Sequence, residues 1–160
     1  MRIAIYTLGC KVNQYETQAM EQELAAQGHE LVDFEQAAAA YIINTCSVTA
    51  VSDKKSRQMI RRAKKRNPAA IIAACGCYVQ THTDEAKSLG IDLIGGTGQR
   101  MEFLHQLLAA AEERQTRVLV DDALHRYDFE ILPAGGQHSR TRAMLKVEDG
   151  CRNFCTYCII

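Results

Sequence analysis

Hydrophobic and polar positions alternate along the first third of this chain with two different periods. Arg2–Leu8 carries apolar, β-branched and aromatic residues (Ile3, Ile5, Tyr6, Thr7) in strand fashion, and Gly9-Cys10 ends it. Asn13 followed by Glu16 reads as a capping box, opening a helix to about Gln27 with Gly28 as its stop. Glu30–Phe34 predicts a second strand, and Tyr41–Asn44 a third that ends at Thr45-Cys46. A helix follows over Ala50–Arg66, closed by Asn67-Pro68. Ala70–Ala74 predicts a fourth strand running into Cys75-Gly-Cys77, and Thr83, backed by Asp84 and Glu85, caps a short helix to Gly90. Ile91–Ile94 is a fifth strand before Gly95-Gly96. Arg100–Glu113 is an amphipathic helix with Phe103, Leu104, Leu107 and Leu108 on one face, and Arg117–Val120 suits a further strand.

Strands alternating with helices predict an α/β fold: an open, mostly parallel, doubly wound sheet joined by right-handed βαβ units. Ala37–Ala40 is a small low-complexity patch suited to a loop or a helical turn. From Asp121 to Thr141 the pattern fades into polar residues, Pro133 and Gly135-Gly136. Ala143–Val147 then predicts a new strand, and Glu148-Asp149-Gly150 turns into a cysteine-rich end. These shifts predict a first domain over 1–115, a linker over 116–136 and the start of a second domain over 137–160.

Composition changes this picture little until the cysteines are counted. The 160 residues are 47% hydrophobic and 24% charged with zero formal net charge, so overall charge points to neither nucleic acid nor membrane. The longest apolar runs, such as Ile71–Ala74, are far too short to span a bilayer, and no signal-peptide pattern follows Met1. Seven cysteines without a secretory signal point to the reducing cytoplasm, where such clusters more often bind metal or catalyse than form disulfides.

Cys10, Cys46 and Cys77 each fall just past the end of a predicted strand. In an open α/β sheet the crevice beyond those ends is where ligands bind, so the topology gathers three thiols far apart in sequence. Three thiolates on a rigid edge suit a soft metal or an iron–sulfur cluster. The alternative is burial as small apolar side chains. Cys75 lies within the strand and reads as packing.

Cys151, Cys155 and Cys158 form a second set at the spacing C-x3-C-x2-C. Three thiolates in one loop hold a four-iron cluster with one iron open for chemistry. Structural zinc wants four ligands, and the nearest further candidate, His138, lies outside the loop.

This loop, with Tyr157 just before its third cysteine, resembles the signature of radical S-adenosylmethionine enzymes. The resemblance extends back to residue 1. Thr7-Leu-Gly-Cys10-Lys-Val-Asn-Gln-Tyr-Glu-Thr17, Asn44-Thr-Cys46-Ser-Val-Thr49 and Gly76-Cys77-Tyr-Val-Gln80 are similar to the three blocks of the methylthiotransferase N-terminal domain. Lys146-Val-Glu-Asp-Gly-Cys151 is similar to the segment that leads into that family's catalytic barrel. Gly-Cys-Lys-Val-Asn-Gln is most like the branch acting on threonylcarbamoyladenosine in tRNA.

The resemblance implies two 4Fe–4S clusters. Cys151, Cys155 and Cys158 would hold one, whose open iron chelates S-adenosyl-L-methionine; Tyr157 would lie against the adenine. One electron cleaves the sulfonium to methionine and a 5′-deoxyadenosyl radical. Cys10, Cys46 and Cys77 would hold the other, carrying the sulfur that is methylated and inserted at C2 of the adenosine next to the anticodon. The implied partners are a tRNA substrate and an electron-donor protein, with no membrane. The family's barrel and RNA-binding domain would need more chain than this, so the 160 residues alone are expected to be inactive. Alternatives are the same chemistry on isopentenyladenosine tRNA or a ribosomal-protein side chain, or a non-catalytic metal-binding module.

Two further features bear on partners. Lys54, Lys55, Arg57, Arg61, Arg62, Lys64, Lys65 and Arg66 make one helix basic, suited to tRNA phosphates or to a solvated face. Gly95-Gly-Thr-Gly98 lacks the full dinucleotide fingerprint and reads as a plain strand–helix turn.

Overall fold

The computed structural model describes residues 1–113, 116–125, 129–132, 144–151, 153 and 155–157, with the side chains of 111–113 left aside. Six parallel strands form one sheet in the order β2-β1-β3-β4-β5-β6. They are β1 Arg2–Thr7, β2 Glu30–Val32, β3 Ala40–Thr45, β4 Ile71–Gly76, β5 Leu93–Gly95 and β6 Arg117–Leu119. The helices are α1 Lys11–Ala26, α2 Ala50–Arg66, α3 Cys77–Thr81, α4 Thr83–Ser88 and α5 Arg100–Glu113.

The two sheet faces are covered by different helices, as a parallel sheet requires. Alternate residues of β3 divide between them. Ile42 packs with Ile3, Met20, Leu24, Phe103, Leu104 and Leu107 under α1 and α5. Tyr41 and Ile43 pack with Met59, Ile60, Ala63, Tyr78, Val79 and Ala86 under α2, α3 and α4. All six positions of β3 are buried, the mark of a central parallel strand. No helix among the described residues is long and apolar enough to cross a membrane.

α2 shows why the local sequence folds as it does. Thr49 caps it, accepting the Ser52 N–H at 3.1 Å, with Asp53 in the first turn and Lys64, Lys65 and Arg66 in the last. Ser56, Met59, Ile60 and Ala63 form its buried stripe, and Asn67 ends it before Pro68.

Three local expectations are corrected. α1 begins at Lys11 with Cys10 at its N-cap and no side-chain cap, so Asn13 and Glu16 form no capping box. Both lie inside the helix, buried, and are used in tertiary contacts. Thr83 is not a cap either: it is already helical, and its hydroxyl donates back to the Val79 carbonyl at 2.8 Å. Residues 144–147 form no strand among the described residues; Leu145 and Val147 are exposed there, with no neighbouring strand to complete a ladder, and Ala143 lies outside the described residues. The sheet is open, and no closed barrel is present among the described residues.

Candidate metal centre

Register sets the site. Thr7 lies level with Asn44, and Thr45 with Gly76, so β1, β3 and β4 end together. The chain leaves β1 and β3 toward opposite faces, making their junction the topological switch point where such folds bind ligands.

After β1, the Leu8 N–H donates to the Asn44 carbonyl at 2.9 Å, and Gly9 turns at φ +93° into Cys10, which is exposed. A Cβ on Gly9 would stand 2.6 Å from the Cys46 sulfur, so glycine here lets the first loop close onto the second thiol. Cys46 follows β3 directly and is buried. Ser56 of α2 clamps it, accepting its N–H at 3.3 Å and donating to its carbonyl at 3.1 Å. Gly76 ends β4 at φ +97°; a Cβ there would meet the Thr45 carbonyl at 2.5 Å and Asn44 Oδ1 at 2.7 Å. Cys77, partly buried, then opens α3.

Hydrogen bonds tie the three loops together. Asn13 Nδ2 donates to the Leu8 carbonyl at 2.8 Å and the Thr45 carbonyl at 2.9 Å, while its Oδ1 accepts the Cys10 thiol at 3.7 Å. Asn13 therefore pins the ends of β1 and β3 and touches Cys10, instead of capping its helix. Asn44 Nδ2 donates to the Asn13 carbonyl at 3.0 Å, and Thr81 Oγ1 to Ser47 Oγ at 3.4 Å. The buried Asn44 Oδ1 has no hydrogen-bond partner among the described residues.

Burial pushes the Cys77 thiol up to about 11, and the neighbouring Cys46 and Cys10 thiolates add to the shift. Among the described residues no group of three or more His, Cys, Asp or Glu side chains is placed to hold a metal, so the three loops end together without forming a metal-ligand set. Cys75 sits on the other face of β4, fully buried with Leu93, Phe103 and Leu104, its thiol pushed up to about 11 by burial. It packs, as its place within the strand predicts.

In the second set, Cys151 and Cys155 are exposed and Tyr157 is 91% exposed. Cys158 lies outside the described residues, as does His138. The Gly95–Gly98 turn is already occupied: Gln80 Oε1 accepts the Thr97 N–H at 2.9 Å and lies where a Gly96 side chain would go.

Sequence reasoning missed a buried charge cluster on the α1/α5 face. Arg100 is 1% exposed and Glu16 4%. Glu16 Oε2 accepts from Arg100 Nη2 at 2.7 Å and Nε at 3.1 Å, and Arg100 Nη1 donates to the Gly96 carbonyl at 2.6 Å. The signal was present: Asn13, Glu16 and Thr17 continue the buried stripe of Met20 and Leu24 at helical spacing, placing polar residues where apolar ones belong.

Residues 2–96 match the family described as uncharacterized protein family UPF0004. The chain is 46% identical over 159 residues to the threonylcarbamoyladenosine tRNA methylthiotransferase MtaB of Bacillus subtilis, covering 99% of this chain and 35% of that protein. It is 32% identical over 164 residues to the ribosomal protein uS12 methylthiotransferase RimO of Desulfitobacterium hafniense, covering 99% and 36%. The chain thus spans about a third of the length of these relatives. Among solved structures it resembles the isolated REC domain of RcsB from Salmonella enterica serovar Typhimurium, with a TM-score of 0.52 and 15% identity over 74% of this chain and 92% of that one. That likeness concerns the fold alone.

Proposed function

The chain belongs to family UPF0004, on the MtaB branch of the radical S-adenosylmethionine methylthiotransferases, and from that membership we propose that it is part of an enzyme placing a methylthio group on C2 of N6-threonylcarbamoyladenosine next to the anticodon of tRNA. Cys10, Cys46 and Cys77 would hold one 4Fe–4S cluster, and Cys151, Cys155 and Cys158 would hold another that binds S-adenosyl-L-methionine, with Tyr157 as a candidate contact for that cofactor. The second domain is proposed to start at 137; residues 137–143 lie outside the described residues. A protein electron donor serves both clusters, and the enzyme works in the cytoplasm.

The observation that carries this reading is the closing of three cysteine loops at the ends of β1, β3 and β4, with Gly9 against the Cys46 sulfur. When bound, clusters of this type supply electron transfer and an open iron, one for the cofactor and one for the sulfur to be inserted. The chain's own residues do the rest. Asn13 Oδ1 accepts the Cys10 thiol and orients it. Buried Cys46, fixed by Ser56, closes the sheet side to water. Exposed Cys10 leaves the crevice open toward an incoming nucleoside.

The basic helix supports an RNA partner. Arg62 and Arg66 pair with Glu35, Arg57 with Glu85, and Lys64 Nζ donates to the Gly90 carbonyl. Lys54, Lys55, Arg61 and Lys65 are exposed, and no partner is present for them among the described residues. This stripe suits backbone phosphates. The RimO relative keeps a ribosomal-protein side chain as the second reading.

Replacing Cys46 by Ala at the chromosomal gene and analysing tRNA nucleosides by mass spectrometry tests the proposal. The expected result is loss of the methylthio group from threonylcarbamoyladenosine. Unchanged tRNA with an unmethylthiolated ribosomal protein would favour the second reading instead.

A further inference from the structure

The buried Glu16–Arg100 pair has a third member. Lys146 Nζ lies 3.5 Å from Glu16 Oε1 and 2.6 Å from Asp149 Oδ2, and its side chain is only 6% exposed. The same ammonium stands 5.8 Å from the Phe129 ring centroid. Lysine is among the residues least often buried, because its ammonium loses strong hydration there. Lys146 is nonetheless drawn out of water onto a helix face of the sheet domain, 130 residues away in sequence from its partner Glu16.

The surrounding contacts lie on the same surface. The Glu130 carboxylate accepts the N–H groups of Arg100 at 2.9 Å and Met101 at 3.1 Å, at the start of α5. Leu132 is buried with Tyr15 and Ala19, and Met144 and Met101 pack against them. Residues 129–132 and 144–149 are thus anchored on α1 and α5 by apolar contacts outside and by charge within.

Position gives this anchoring a consequence. Glu16 is on the helix that Cys10 opens, about 9 Å of helix rise beyond it. Lys146 precedes Cys151 by five residues, which span at most about 18 Å when fully extended. We propose that Glu16, Arg100 and Lys146 form a latch that seats the segment entering the second cysteine loop on the α1/α5 face, so that Lys146 is a positioning residue fixing the second cysteine set relative to the first. The consequence for the clusters rests on the reading that both sets hold iron; the latch itself does not.

Amine acylation of the folded chain, followed by peptide mass spectrometry, tests the latch without iron. Lys146 should label about ten-fold or more slowly than exposed Lys54 and Lys65, because its ammonium must first leave the cluster. Glu16→Gln should bring Lys146 close to the rate of the exposed lysines, and Asp149→Asn, which leaves the buried pair intact, should do so in part. Lys146 labelling as fast as Lys54 in the unmodified chain would overturn the proposal.

A second arm uses the anaerobically loaded chain. Lys146→Met should weaken the magnetic coupling between the two reduced clusters while iron content stays constant, and Lys146→Arg should restore it. Unchanged coupling at full iron content would also overturn the positioning role. Failure of iron to load would count against the cluster reading, and the acylation arm would still decide the latch.

Discussion

Replacing Arg100 by Leu removes the cation at the centre of the α1/α5 face while leaving Glu16 in place. The Arg100 guanidinium makes two charge-assisted hydrogen bonds to Glu16 Oε2, at 2.7 and 3.1 Å, and one of 2.6 Å to the Gly96 carbonyl. That carbonyl keeps the Gly76 N–H at 3.0 Å, so its loss is small. Among the described residues, the Glu16 carboxylate, 4% exposed, keeps only Lys146 at 3.5 Å. Breaking a buried pair from one side costs about 3–5 kcal/mol, and the remaining ammonium places this case near the lower end, about 3 kcal/mol. At about 2–4 °C per kcal/mol for a chain of this size, the unfolding midpoint should fall by about 6–12 °C. Glu16→Met combined with Arg100→Leu fills the same space without an orphaned charge, and should recover to within about 1 kcal/mol of the parent. Urea unfolding of the reduced, metal-free chain, followed by far-UV circular dichroism, measures both. A loss below about 1 kcal/mol in the single variant, or a double variant no better than the single, would show that Glu16 is not left as an uncompensated buried charge.

Other outcomes follow from the cysteine edge and the basic helix. Gly9→Ala places a Cβ against the Cys46 sulfur at a backbone angle of φ +93°. Iron bound by the first set should fall while far-UV circular dichroism at low temperature stays near the parent. Ser56→Ala leaves the buried Cys46 N–H without its acceptor and should cost about 1–3 kcal/mol in urea unfolding. Replacing Lys54, Arg61 and Lys65 together by Ser should reduce the salt dependence of tRNA binding, read by filter binding across a salt series. The slope should fall by about 0.7–0.9 log units of affinity per log unit of salt for each phosphate no longer neutralised. An unaltered slope would return the helix to a solvated face.

Much of this fold can be read from the sequence because its period changes are sharp. Short β-branched and aromatic runs become β1 and β3, and α2 is bounded by Thr49 and Asn67-Pro68. The first cysteine set is legible for a topological reason: parallel strands in register end together, so residues just past those ends meet whatever their separation in sequence. Asn13 and Glu16 misled because their spacing suits a capping box, while a carbonyl pair from two strands and a buried guanidinium offer them stronger partners. No local rule finds Lys146, whose partner is 130 residues away. The pattern at 144–147 is strand-like in composition, but a strand needs a neighbour. Here Leu145 and Val147 remain exposed.

Whether the two cysteine sets hold iron is decided by counting iron and acid-labile sulfide on the anaerobically reconstituted 160-residue chain. About eight of each per chain are expected, falling to about four when Cys46 is replaced by Ala and unchanged when Cys75 is replaced by Ala. About one zinc per chain without visible absorption, or an iron content indifferent to Cys46, would contradict the two-cluster assignment.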